Sequence, residues 1–165
     1  MDFGFGDAVA GGPEEIEYPT ILSGLPAPRL RAYPREASLA EKFEAMVSLD
    51  TRNSRMKDFH DVWALSGAFA FDGAKLQRAI AACFERRGTP LQPETPRVLT
   101  SAFYQAPEIE ARWRSYLRAG AVLVPPPAQF DVIGEAIMRF LGPVREGIVA
   151  GLWVARTWQP GGPWR

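Results

Sequence analysis

The sequence is poor in the residues that most often advertise chemistry. Cys83 is the only cysteine among 165 residues, so no disulfide can form within the chain, and a reducing compartment, the cytoplasm, is the expected location. His60 is the only histidine, which excludes a metal site built from several histidines and a histidine acid-base pair. No apolar run approaches the roughly 18 residues of a membrane span, so no membrane partner is expected. The start MDFGFGDAVAGG lacks the basic opening and long apolar centre of a secretory leader. Neither a phosphate-loop pattern nor a nucleophile elbow occurs, and GFGDAVAGG lacks the dinucleotide spacing. Net charge is zero, so no global basic field marks the chain as a nucleic-acid binder.

What is present is a globular composition, 47% hydrophobic and 23% charged, in a length suited to one ordinary core. Charge is unevenly placed. Residues 1 to 28 hold five acids and no Lys or Arg, whereas residues 29 to 57 hold seven bases against four acids. A basic segment therefore follows an acidic one.

Periodicity divides the chain in the same region. The stretches 2-DFGFGD-7, 15-EIEYPTIL-22 and 29-RLRAY-33 suit short strands, the second confined to an edge or bulge by Pro19. From Pro34 the spacing turns helical. Residues 36 to 48 put Leu39, Ala40, Phe43, Met46 and Val47 on one arc. A second helix is predicted from 54 to about 67 with Asn53 as its N-cap, and a third runs from the Asp72 cap to a stop at Gly88. Cys83 falls in the apolar run of that third helix, where inert core packing is expected. Beyond the Pro-rich connector 90–96, helices are predicted near 100–105 and 107–119, then at 129–141 and 143–156, the last two split by Gly142-Pro143. The tail 158-WQPGGPWR-165 reads as extended, and Trp113, Trp153, Trp158 and Trp164 suit packing better than base stacking. The fold class is mostly α with a small N-terminal β element.

The second helix, 53-NSRMKDFHDVWAL-65, carries the most informative conflict. At about 100° per residue, Arg55 and Asp58 fall on the same arc as Phe59, Val62 and Leu65, while Lys57, His60 and Asp61 project to the solvated side. His60 accordingly reads as a surface residue rather than a catalyst. An unpaired buried charge costs several kcal/mol, so the intruders require partners. Arg55 and Asp58 can pair with each other at the helix N-terminus. Alternatively, if this helix forms an antiparallel hairpin with the preceding one, Lys42 can approach Asp58, and a lysine held by a carboxylate beside an apolar seam is a fixed cation suited to phosphate.

These residues carry a family likeness. The run from Tyr33 to Ser66, with Ala40-Glu41-Lys42 followed by Arg55, Lys57, Asp58 and Asp61, resembles the C-terminal half of the AbiEii/AbiGii nucleotidyltransferase toxins of type IV toxin-antitoxin systems. The opening DFGFGD resembles that family's strand bearing an acidic metal ligand, and WQPGGPW resembles the close of one subgroup. The resemblance implies part of a polymerase-β-like fold at residues 1–33 and a helical C-terminal domain at 34–165. It also implies Mg2+ and a nucleoside triphosphate as cofactor and substrate, an RNA acceptor such as the 3′ end of tRNA, and a cognate antitoxin. By the same likeness Asp2 would bind metal, Lys42 the triphosphate, Arg55 and Lys57 would belong to the nucleotide site, and Asp58 would orient or activate within it. Carboxylates that hold hard cations and a fixed cation beside the leaving pyrophosphate are what nucleotidyl transfer needs. The family's Gly-Gly/Ser motif and its pair of carboxylates spaced one apart do not precede Asp2, and no Asp-x-Asp or Asp-x-Glu occurs anywhere in the chain. The expectation is therefore a chain without transfer activity of its own, a fragment or a remnant, or else a non-catalytic helical module that binds RNA or antitoxin.

Overall fold

A computed structural model describes residues 14–17, 26–50, 54–120 and 124–165. The expected strand at DFGFGD, the Asn53 cap, Asp2 and most of the stretch after Glu17 lie outside these residues.

The described chain is mostly helical with short strands. Strands β1 (Glu14–Glu17) and β2 (Arg29–Ala32) pair antiparallel, Glu14 opposite Ala32 and Glu17 opposite Arg29. Acidic strand thus faces basic strand, and Arg29 reaches Glu17 at 3.6 Å on the exposed surface. Helix α1 (Arg35–Leu49) follows directly, with Leu39, Phe43 and Met46 fully buried as the apolar spacing predicts.

Helix α2 (Met56–Ala68) returns alongside α1. Its N-cap is Arg55, which makes no side-chain capping bond and stands outside the helix rather than on its buried arc. That corrects the helical placement of Arg55: its side chain is largely exposed and swings back to reach Asp58. After β3 (Phe71–Asp72), α3 (Gly73–Arg87) starts where the Asp72 carboxylate accepts from the Lys75 amide at 2.7 Å, and ends at Gly88 with φ 65°. Both ends agree with the sequence, because a short acceptor at the N-cap and a residue free to adopt positive φ at the C-terminus are the cheapest local solutions. Cys83 is buried in the core with its thiol pKa raised by burial. Helix α3 lies against α1, where Phe43 and Phe84 meet at 5.3 Å.

A 3-10 turn (Arg97–Leu99), α4 (Ser101–Tyr104) and α5 (Pro107–Arg118) lead to α6, which runs unbroken from Phe130 to Ala150. The expected split at Gly142-Pro143 does not occur. A proline inside a helix removes one backbone hydrogen bond and costs about 3 kcal/mol, but Phe140, Leu141 and Val144, all 0% exposed, are buried on both sides of Pro143. The carbonyl that loses its donor belongs to Arg139, an exposed residue. Helix α6 instead ends at Gly151, φ 66°. No helix among the described residues is long and apolar enough to cross a membrane.

The tail folds back rather than extending. Strand β4 (Thr157–Trp158) pairs with β3, and Trp158 is buried with its indole N–H donating to the Ser66 carbonyl at 2.7 Å. Trp164 stacks on Phe140 at 5.8 Å and donates to its carbonyl. The result is one hydrophobic cluster shared by α1, α2, α3, α5 and α6, with the hairpin of α1 and α2 at its edge.

Candidate functional site

Helices α1 and α2 place the charged residues of the sequence motif on one another. Lys42 near the middle of α1 meets Asp58 and Asp61 one turn apart on α2, and Ser38 lines the same cleft as Ala64 and Leu65. Those pairings run in opposite directions along the two helices, so they form the expected antiparallel hairpin.

Asp61 is the hub. Its Oδ2 accepts from Lys42 Nζ at 2.7 Å and from Lys57 Nζ at 2.6 Å. Asp58 lies deeper, 2% exposed, with Lys42 Nζ 3.6 Å from Oδ1 and Arg55 Nε 2.8 Å from Oδ2. Arg55 also donates from Nη2 to Oδ1 at 3.4 Å, whereas Oδ2 is buried without a hydrogen bond and meets Nε only as a charge pair. The pairing in each sequence account of Asp58 is present, since it contacts both Arg55 and Lys42. The stronger partner of Lys42, however, is Asp61, a residue the helical periodicity assigned to solvent.

His60 requires a larger correction. It is 6% exposed, not on the surface, because α5 and the segment at Val124 cover that side of α2. Its Nε2 lies 2.8 Å from the Val124 carbonyl and its Nδ1 3.2 Å from the Tyr116 hydroxyl. Periodicity along one helix could not reveal a covering element 56 residues away. Tyr116 was absent from the candidate residues; its spacing from Trp113 on one face of α5 was the available signal, and the two rings stack at 5.3 Å.

Together Ser38, Lys42, Lys57, His60, Asp61 and Tyr116 line a cleft of about 420 Å³. Three cations, Lys42, Arg55 and Lys57, stand against two carboxylates, Asp58 and Asp61. Each ammonium carries three donors, so binding Asp61 leaves capacity for a further anion. Asp61 fixes the two lysines side by side, which supplies positive charge at low entropic cost when that anion arrives.

The electrostatics follow the contacts. Burial acts to raise the Asp61 pKa, but hydrogen bonds from Lys42 and Lys57 outweigh it and the net shift is downward. Lys57 is shifted upward, chiefly by its hydrogen bond to Asp61. Burial raises the Tyr116 pKa, with the Asp61 charge adding to it. A carboxyl with a lowered folded-state pKa contributes stability that is present above the ordinary Asp value, about 4, and is lost as pH falls through the lowered one. A raised lysine contributes stability that is lost as pH rises through its folded value, and solvent screening shrinks this effect for the largely exposed Lys57. Melting temperature measured against pH is thus expected to fall below about pH 4 less steeply in Asp61→Asn than in the wild type. Superimposable acid limbs would remove Asp61 from the pH response.

Among the described residues no group of three or more His, Cys, Asp or Glu side chains is arranged to hold a metal ion. Asp58 and Asp61 do not fit magnesium as placed, because cationic side chains lie against both Asp58 oxygens and Asp61 Oδ2. Asp2 lies outside the described residues.

The family model described as nucleotidyl transferase AbiEii toxin, type IV TA system, matches residues 1–136. No curated protein and no solved structure matches the chain. The matched span contains Lys42, Arg55, Lys57, Asp58, Asp61 and Tyr116, and the later turns of α6 and the tail follow it. With the lysine–aspartate hairpin inside a match that covers most of its length, the chain belongs to the AbiEii nucleotidyltransferase toxin family of type IV toxin-antitoxin systems.

Proposed function

We propose that the cleft between α1 and α2 receives the triphosphate of a nucleoside triphosphate, in a toxin that passes nucleotides to an RNA acceptor such as the 3′ end of tRNA. One observation carries this reading: two ammonium groups are held 2.7 and 2.6 Å from a single Asp61 oxygen, facing an open cleft. Negative charge grows on the leaving pyrophosphate during nucleotidyl transfer, and cations fixed beforehand stabilise it without reorganising. Lys42 is the principal phosphate ligand in this scheme, Lys57 and Arg55 contact phosphate at the rim, and Asp58 orients Lys42 from below. An antitoxin partner accords with the family.

Family members generally use magnesium with the nucleotide, and Asp2 is the residue the likeness assigns to it. The described carboxylates do not fit that ion. The reading includes nucleotide binding without turnover by these 165 residues, in keeping with the lack of an Asp-x-Asp or Asp-x-Glu pair.

Lys42→Gln tests the assignment, since glutamine removes the charge while retaining a donor for Asp61. Calorimetric titration with ATP, CTP, GTP and UTP is expected to show at least about a tenfold loss of affinity, the value of a charge-assisted phosphate contact. Unchanged affinity in a folded variant would overturn the proposal.

A further inference from the structure

In its neutral form the buried His60 has one tautomer that suits its neighbours, with the Asp61 carboxylate 3.9 Å from Nδ1. A carbonyl can only accept, so the nitrogen 2.8 Å from Val124 O carries the proton, and Nδ1 of the neutral ring is an acceptor. The Tyr116 hydroxyl, 3.2 Å away, therefore donates its proton to Nδ1. Tyr116 has no other hydrogen bond among the described residues, and its committed proton leaves the phenolic oxygen able only to accept. Stacking on Trp113 fixes the ring, and Tyr116 lines the cleft with Lys42 and Lys57.

The cleft thus offers two kinds of group: ammonium donors for phosphate, and a preset acceptor that a phosphate oxygen, itself an acceptor, cannot satisfy. We infer that Tyr116 is a nucleoside-binding residue, accepting a hydrogen bond from an O–H or N–H donor on the sugar or base. His60 is the positioning residue that keeps it an acceptor. This rests on the proposed triphosphate site, and extends it from charge recognition to recognition of the nucleoside.

The probes are inorganic tripolyphosphate, the four ribonucleoside triphosphates and their 2′-deoxy counterparts, titrated calorimetrically into the whole chain. Tyr116→Phe keeps the ring and its stacking, and is expected to weaken nucleoside triphosphate binding about fivefold, the value of one neutral hydrogen bond. Tripolyphosphate binding should be unchanged. A loss confined to the ribo series assigns the donor to the 2′-hydroxyl; a loss in both series assigns it to the base or the 3′-hydroxyl. His60→Leu should reproduce the Tyr116→Phe pattern, and His60→Gln, whose amide can donate to Val124 O and accept from Tyr116, should restore discrimination. Equal effects of Tyr116→Phe on tripolyphosphate and nucleotide, or no effect on either, would overturn the inference while leaving the phosphate site standing. Tripolyphosphate binding that Lys42→Gln does not alter would instead overturn the phosphate site, and this inference with it.

Discussion

Asp58→Asn is expected to destabilise the protein by about 2–3 kcal/mol and, separately, to weaken nucleotide binding. Losing one member of a buried ion pair costs about 3–5 kcal/mol where both partners are enclosed. Here the carboxylate is enclosed, but Lys42 and especially Arg55 retain solvent, with side-chain exposures of 20% and 60%, so screening brings the cost to the bottom of that range or just below it. In a domain of this size that is a fall of about 4–12 °C in melting temperature. The functional effect follows from geometry. Lys42 is held by Asp61 at 2.7 Å and steadied by Asp58 at 3.6 Å, and without the second charge its ammonium has a wider range of positions. At a temperature where the variant is fully folded, affinity for a nucleoside triphosphate should still fall. If affinity instead tracks the folded fraction alone, Asp58 is a structural pair and nothing more.

Trp113→Ala is expected to be the most damaging single change, costing about 3–5 kcal/mol by urea or thermal unfolding. Trp113 is 0% exposed, packs against Phe130 at 5.5 Å and Tyr116 at 5.3 Å, and donates to the Pro127 carbonyl at 3.1 Å. Its removal leaves a cavity where α5, α6 and the segment between them meet, and a carbonyl without its donor. It also frees the Tyr116 ring, so a partly folded population should discriminate poorly between nucleotide and tripolyphosphate. A cost below about 1 kcal/mol would mean that the site collapses around the gap, contrary to the packing described.

The first three helices were legible because each is specified locally. An apolar arc at helical spacing, an aspartate before Gly73 and a glycine after Arg87 act over one or two turns, and no distant contact overrides them. Asp58 was legible for the opposite reason: a charge on an apolar arc breaks the pattern, and the structure supplies its partners on α1 and at the N-cap. What the sequence hid depends on elements far apart in the chain. His60 is buried by α5 and Val124, and Asp61 is half covered because Lys42 reaches across from α1. The persistence of α6 through Pro143 is also a tertiary effect, with packing on both sides outweighing the lost hydrogen bond. The tryptophans divide similarly. Trp113 and Trp158 occupy the core as expected and Trp164 packs beside it, but Trp153 is 67% exposed, on a segment whose backbone the Gln77 amide holds through Leu152 and Val154.

In the proposed function the hairpin of α1 and α2 binds a nucleoside triphosphate through Lys42. The most direct test is a nuclear magnetic resonance titration of the isotopically labelled chain with the nucleoside triphosphate that binds it most tightly. The expected result is a saturable set of shifts centred on Ser38, Lys42, Lys57, His60, Asp61 and Tyr116, abolished or displaced to higher concentration in Lys42→Gln. Shifts confined to another surface, such as the cleft between Pro143 and Trp164, with the α1–α2 hairpin unmoved, would contradict it.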